Sequence, residues 1–308
     1  MVNKEEIKLW SNQMLSDNLT VCLLVRNEEK RIEYAIKNFI GKFKLLVIDD
    51  IPPSTDRTRE ICEKFKVEYI QINKHNFVEQ PIVMNAIWEK VKTHYMLMAF
   101  CGEYFPDELL ALYAKVADEK SYDVICAARI SITAGKHILV WGDPRKSIIR
   151  NLSPRFSRRG SISYEDNIMH REGKIVCEEK KILKAPRDIH LMFYQFRDYD
   201  ASWSEARHAG YNDVNAMQLY QNGEHYSFIK MISKSLAFFL KDYFYNGAWK
   251  QGHLGFMHAY YRFHLSMGIY LRMWDIEHNL QKDQITELHN SIRRKLLSKE
   301  INVESLFK

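Results

Sequence analysis

Two adjacent carboxylates, Asp49 and Asp50, close an apolar run at Lys44 to Ile48, and a polar cluster, Arg26-Asn27-Glu28, closes another at Thr20 to Val25. A buried pair of acids would repel, so a sugar hydroxyl, a base edge or a cation is the expected companion. Both apolar runs are of strand length and continuous, as in strands buried at the centre of a parallel sheet. Between them Ile32, Ile36 and Phe39 recur at helical spacing, with charges on the opposite face. The stretch from Leu19 to Thr58 therefore reads as strand, helix, strand. In an open parallel sheet the ligand crevice lies beyond the carboxyl ends of the strands, and both polar clusters should arrive there.

The alternation continues beyond Asp50. Ser54 is expected to cap a helix running through Ile61 and Phe65. Val67 to Ile72 reads as a strand, and Pro81 to Val91 as a helix with Ile82, Ala86 and Val91 inward. A further buried strand follows at Tyr95 to Phe100, a helix opened by Pro106 at Asp107 to Ala117, and a strand at Asp123 to Ile132. From about 135 to 188 the sequence suits short strands, and from Ser202 it becomes helical and aromatic. The expectation is an α/β domain over residues 15–200 with a mostly parallel sheet flanked by helices, then a helical, aromatic-rich extension over 201–308. A chain of 308 residues has room for both.

The two clusters resemble motifs of the inverting family-2 glycosyltransferases, which have the GT-A fold. In that family the first strand ends in a Thr/Lys/Arg-Asn-Glu turn, matched here by Val25-Arg26-Asn27-Glu28-Glu29. The second ends in Asp-Asp or Asp-Ser before Gly-Ser-Thr-Asp-Arg-Thr. Asp49-Asp50 and Ser54-Thr55-Asp56-Arg57-Thr58 match it, with Ile51-Pro52-Pro53 lengthening the turn. Pro154-Arg155-Phe156-Ser157-Arg158-Arg159-Gly160 and Ile168-Met169-His170 resemble elements of a bacterial subgroup that glucosylates lipopolysaccharide core, some relatives of which glycosylate peptide cysteines. In the tail, Phe239-Leu240-Lys241-Asp242-Tyr243, Asn246-Gly247 and Tyr260-Tyr261-Arg262-Phe263 resemble the amphipathic C-terminal helices of the same subgroup.

The resemblance implies transfer of a hexose from a nucleotide-diphosphate sugar, a UDP-sugar above all, to a glycan or peptide acceptor. Arg26, Glu28, Asp49 and Asp50 would form the nucleotide-sugar site. Family members follow the fourth strand with Leu-Asp-Ala-Asp-Glu, whose aspartates hold a divalent cation. Here the segment reads Ala99-Phe100-Cys101-Gly102-Glu103, so both aspartates are replaced and Glu103 alone remains, a weak metal ligand at most. Mg2+ or Mn2+ is thus either not required or weakly held, and Arg155 and Arg158 are expected to help neutralise the departing diphosphate, as guanidinium groups can. The general base is expected among Asp166, His170 and Glu172, with Asp166 first because Tyr164-Glu165-Asp166 resembles the Glu-Asp pair of many family-2 enzymes. The rival reading is a binding or scaffold protein on a disused glycosyltransferase fold; transfer to a modified nucleic-acid base ranks behind both.

Several classes are disfavoured. No G-x-G-x-x-G follows the first strand and no G-x-x-x-x-G-K-[ST] occurs, against a Rossmann dehydrogenase and a P-loop enzyme. The five cysteines lack C-x-x-C spacing, so reduced thiols are expected rather than zinc ligands or disulfides. Cationic runs such as Arg145 to Arg159 are more often a solvated face than a nucleic-acid surface. The N-terminus has no signal-peptide character and no apolar run spans a bilayer, so a cytoplasmic protein is expected. The stripe Phe228, Ile232, Leu236, Phe239, Tyr243 is expected to pack on the first domain. Its mixture of aromatic and basic residues also suits peripheral contact with the inner face of the membrane, and an oligomer is compatible with it.

Overall fold

The computed structural model describes residues 16–73, 78–139, 152–165, 172–197 and 201–307, with backbone alone at 201–208 and 307. It divides into two compact units, Met1–Asp198 and Tyr199–Lys308.

The first unit opens with β1 (Leu19–Leu24), α1 (Ile32–Phe39), β2 (Lys44–Asp49), α2 (Thr58–Lys64), β3 (Glu68–Gln71), α3 (Pro81–Lys90) and β4 (Tyr95–Phe100). The strands lie in the order β3-β2-β1-β4, every neighbouring pair parallel. Side-chain alternation sorts β1 between two layers. Leu19, Val21 and Leu23 meet Ile32, Ile36 and Phe39 of α1 on one face. Cys22 and Leu24 meet Val83, Met84 and Ile87 of α3 on the other. A strand covered on both faces must be apolar throughout, which explains the unbroken runs.

Two local expectations are corrected. Of the three residues expected inward along α3, Val91 is buried and Ala86 packs partly against the same core, but Ile82 is 61% exposed; the helix buries Val83, Met84 and Ile87 instead. Apolar residues lie on both sides of this helix, so its sequence leaves the phase open. Ser54 does not cap α2, which is preceded by Arg57; its hydroxyl has another partner.

The chain continues through β5 (Glu103–Tyr104), α4 (Asp107–Glu119), β6 (Val124–Thr133), β7 (Lys136–His137) and β8 (Leu152–Arg158). Then come β9 (Ile162–Ser163), β10 (Lys174–Ile175), β11 (Ile182–Lys184) and β12 (Phe193–Arg197). The main sheet runs β3-β2-β1-β4-β8-β6-β12-β5. Strand β8 is inserted antiparallel between β4 and β6, so β4 and β6 point the same way without touching. Leu109, Leu110 and Tyr113 of α4 join the α1 layer, where Tyr113 stacks on Phe156 of β8 at 5.2 Å.

The second unit contains α5 (Ala201–Gln221), α6 (Phe228–Leu240), α7 (Gly252–Glu277) and α8 (Lys282–Leu297). Ser227 caps α6 by accepting from the Lys230 backbone N–H at 3.3 Å. Among the described residues of this unit, Ala216, Met231, Tyr270 and Met273 form a buried apolar cluster. The expected apolar stripe on α6 is buried only in part: Ile232 packs against this cluster and Phe239 and Tyr243 are half-buried, while Phe228 and Leu236 are exposed and Met231 and Ser235 are buried. A π-helical turn at Lys241–Tyr245 follows α6 and buries Asp242, which Arg262 meets at 2.5 Å. No helix among the described residues is long and apolar enough to cross a membrane.

Candidate active site

The carboxyl end of β2 separates the two acids into different tasks. Asp49 is fully buried and accepts from the backbone N–H of Asp50 at 2.8 Å, that of Ser54 at 2.7 Å and the Tyr69 hydroxyl at 2.5 Å. Three donors hold its charge in place, so Asp49 shapes the corner. Burial, with this carboxylate beside it, pushes the Tyr69 hydroxyl well above the ordinary tyrosine range. Asp50 accepts from the Ile51 backbone N–H at 2.8 Å and meets Arg26 Nη1 at 2.7 Å. Arg26 is half exposed, so the Asp50–Arg26 pair is the part of the corner that a ligand can reach.

The Ser-Thr-Asp-Arg-Thr segment stitches this corner to the turn after β1. Asn27, in the left-handed region at φ 52°, donates its backbone N–H to Ser54 Oγ at 2.8 Å. Its side-chain oxygen accepts from the Thr55 backbone N–H at 2.8 Å. The Glu28 N–H donates to Thr58 Oγ1 at 2.7 Å, and the Glu29 N–H to Asp56 at 2.9 Å. Thr58 in turn donates its hydroxyl to Asp56 at 2.5 Å. Burial works to raise the Asp56 carboxyl, but the hydrogen bonds from Thr58 and Glu29 outweigh it and hold the group below its ordinary range. Thr58→Val keeps the shape of a fully buried side chain and removes both of its bonds. The expected cost is about 1–3 kcal/mol of stability, read as a lowered urea midpoint at unchanged slope. A midpoint equal to the parent's would show that the stitch does not hold the loops.

Glu28 turns its carboxylate onto Arg31, which grips it through Nε at 2.8 Å and Nη2 at 2.9 Å.

The end of β4 departs from the expected picture. Glu103 does not face the crevice: its side chain is 0% exposed, accepting from the Phe100 backbone N–H at 3.1 Å and from Arg155 Nη2 at 2.9 Å. Burial pushes this carboxyl above its ordinary range while Arg155 pulls the other way. Arg155 lies over the Phe100 ring at 4.7 Å and is itself buried. Burial disfavours its charge, yet the carboxylates of Glu103, Glu172 and Glu79 prevail and hold it charged. A divalent cation therefore does not fit here, because Phe100 and Gly102 offer no donor and both Glu103 oxygens are engaged. Among the described residues no three His, Cys, Asp or Glu side chains are grouped to hold a metal ion.

Glu172 is brought to the carboxyl edge. It accepts from the hydroxyl of Ser153, near the start of β8, and lies 3.7 Å from Arg129 of β6. Arg158 is not brought there. Because β8 runs antiparallel to β4, Arg158 pairs with Tyr95 at the amino end and meets Asp123 at 3.3 Å. Asp166 and His170 lie outside the described residues. The sequence reading missed Tyr69, Arg129 and Arg31. Only Arg31 carried a local signal, three residues after Glu28, the spacing at which helical side chains meet.

The site thus sits on a mixed α/β domain whose mostly parallel sheet is flanked by helices, with the acidic corner at the carboxyl end of β2. Residues 20–180, more than half of the chain, match the family model described as glycosyl transferase family 2, and the chain belongs to that family. No curated protein sequence matches it. Among solved structures, S. aureus TarS 1–349 in complex with UDP-GlcNAc is 18% identical, with a TM-score of 0.43 over 65% of this chain and 65% of that one. A longer S. aureus TarS structure is 18% identical, with a TM-score of 0.40 over 65% of this chain and 38% of its own length. The chain thus spans less than two thirds of either. Glucosyl-3-phosphoglycerate synthase from Mycobacterium tuberculosis, in complex with Mn2+, UDP-glucose and phosphoglyceric acid, is 15% identical, with a TM-score of 0.43 over 72% of this chain and 85% of that one.

Proposed function

We propose that this chain transfers one hexose, with inversion, from a nucleoside-diphosphate sugar, first a UDP-sugar, to a bacterial glycan such as lipopolysaccharide core. A peptide side chain is the second acceptor class. The observation that carries the reading is the Asp50–Arg26 pair, set on the rigid Asp49 corner of a chain that belongs to family 2. Asp50, steadied by Arg26, holds the base or ribose of the donor.

In the reaction an acceptor oxygen, or sulfur in a cysteine, bonds to the anomeric carbon from the face opposite the phosphate. The carbon–oxygen bond to the diphosphate breaks, and the nucleoside diphosphate leaves with the electron pair. The acceptor's proton passes to a carboxylate. Of the candidate bases within the described residues, Glu172 is the one at the carboxyl edge, with Arg129 beside it. Glu103 takes no part in donor binding in this reading, since it is sealed against Arg155.

Calorimetric titration with a panel of nucleoside diphosphates tests the donor half. Asp50→Ala should weaken the binding of the preferred nucleotide by about tenfold or more, the worth of a hydrogen bond to a charged group. Mass spectrometry of glycan and peptide acceptors incubated with mixed donors identifies the product. If no nucleotide binds, and neither transfer nor slow donor hydrolysis occurs, the chain is a binding or scaffold protein on this fold.

A further inference from the structure

The loops that leave β1 and β4 meet at one point. Leu24 and Phe100 are in register across the parallel pair, so the two loops depart side by side. A Cβ built on Gly102 would stand 3.4 Å from Arg31 Nη1 and 3.0 Å from the Phe196 carbonyl oxygen. The Gly102 loop cannot back away, because its carbonyl accepts from the Phe196 N–H at 2.7 Å. Residue 102 is where the family's second metal-binding aspartate aligns. In this chain the space beside that backbone is bordered by a guanidinium group. Its direction is fixed, with Nε and Nη2 gripped by Glu28 and Nη1 as the corner turned toward Gly102.

We propose that Arg31, oriented by Glu28, stands in for the divalent cation: its guanidinium group binds the diphosphate of the donor and stabilises the charge gathering on it as the sugar departs. This rests on the glycosyl-transfer reading above. Three features converge on it. The carboxylates that would hold a metal are missing at 100 and 102, and the one at 103 is engaged. A side chain at 102 would crowd Arg31, so glycine there and arginine at 31 suit one another. A guanidinium group also donates charge-assisted N–H bonds that suit phosphate oxygens, here from its Nη1 side, and it keeps its charge at any working pH. Glu28 is then a positioning residue rather than a ligand of the sugar.

The experiment is calorimetric titration of the full chain with UDP and with uridine, in EDTA throughout. If the panel above favours another base, that nucleoside and its diphosphate replace them. Arg31→Ala should weaken diphosphate binding by about tenfold or more and leave the nucleoside within about twofold. Arg31→Lys should recover part of the loss, keeping the charge but not the two-bond orientation by Glu28. Glu28→Gln should weaken the diphosphate less than Arg31→Ala does. The proposal is overturned if Arg31→Ala leaves diphosphate affinity within twofold, or if it weakens the nucleoside equally, which would mean a damaged turn. It is also overturned if EDTA abolishes diphosphate binding to the parent chain and micromolar Mn2+ restores it. Failure of the parent to bind any nucleoside diphosphate removes the glycosyl-transfer reading first, an outcome distinct from normal binding that ignores Arg31.

Discussion

Glu103→Ala will lower the stability of the first unit by about 3–5 kcal/mol, the cost of stranding one half of a buried ion pair. Its partner Arg155 is 5% exposed, and its Nε and Nη1 have no hydrogen-bond partner among the described residues. Removing Glu103 therefore leaves a charge with little water and no direct carboxylate hydrogen bond, compensated by the more distant Glu172 and Glu79 and by the Phe100 and Phe193 rings. A pair so sparsely satisfied is poor value as a stabilising device compared with apolar side chains of similar volume. The double variant Glu103→Leu with Arg155→Met should accordingly regain most of the loss. Urea unfolding of the parent, both single variants and the double variant measures this. If Glu103→Ala costs less than about 1 kcal/mol, or the double variant is no better than the singles, Glu103 is not the main partner of the buried Arg155 charge.

Glu172→Gln should slow sugar transfer by about 10²–10⁴-fold while leaving donor affinity unchanged, the range for loss of a general base. Glutamine can still accept a hydrogen bond from Ser153 and fill the same space, but it cannot take a proton. Arg129, 3.7 Å away, and the Ser153 hydroxyl fix where this carboxylate sits. Single-turnover rates at saturating acceptor, beside donor titration, separate the two quantities. A rate within threefold of the parent would move the base to the 166–171 segment, where Asp166 and His170 lie. A matching fall in donor affinity would instead make Glu172 part of the donor site.

The front of the chain was legible because its signals are local. Continuous apolar runs name β1, β2 and β4, and the spacing of Ile32, Ile36 and Phe39 names α1. The acidic corner was legible as a place, though not in its division of labour. Tyr69 reaches Asp49 from the neighbouring strand, and no spacing along the chain announces that contact. Ser54 has the chemistry of a helix cap, but a backbone N–H from a distant turn claims its oxygen first. Strand β8 was the hardest element to read. Ser153, Arg155 and Ser157 are polar residues at alternate positions, and the structure buries all three within the sheet. Charges there read as phosphate binders for Arg155 and Arg158 alike. Only the direction of the strand separates an arginine locked on Glu103 from one at the opposite edge.

That central strand also governs the order in which the sheet can be completed during synthesis. Residues 19–100 contain four parallel strands in one continuous segment, so on a growing chain this ladder can pair as soon as β4 emerges. The open side of β4 must then wait for β8, which comes only after α4, β6 and the segment beyond β7 have been made. Strand β6 waits as well, since β8, β11 and β12 all follow it in the chain. A row of unpaired backbone groups on an apolar strand is a template for wrong partners, and pairings distant in sequence form slowly. The nascent protein thus passes through a half-built sheet whose unfinished edge is its interior, and crowding at that stage favours association between chains over completion within one.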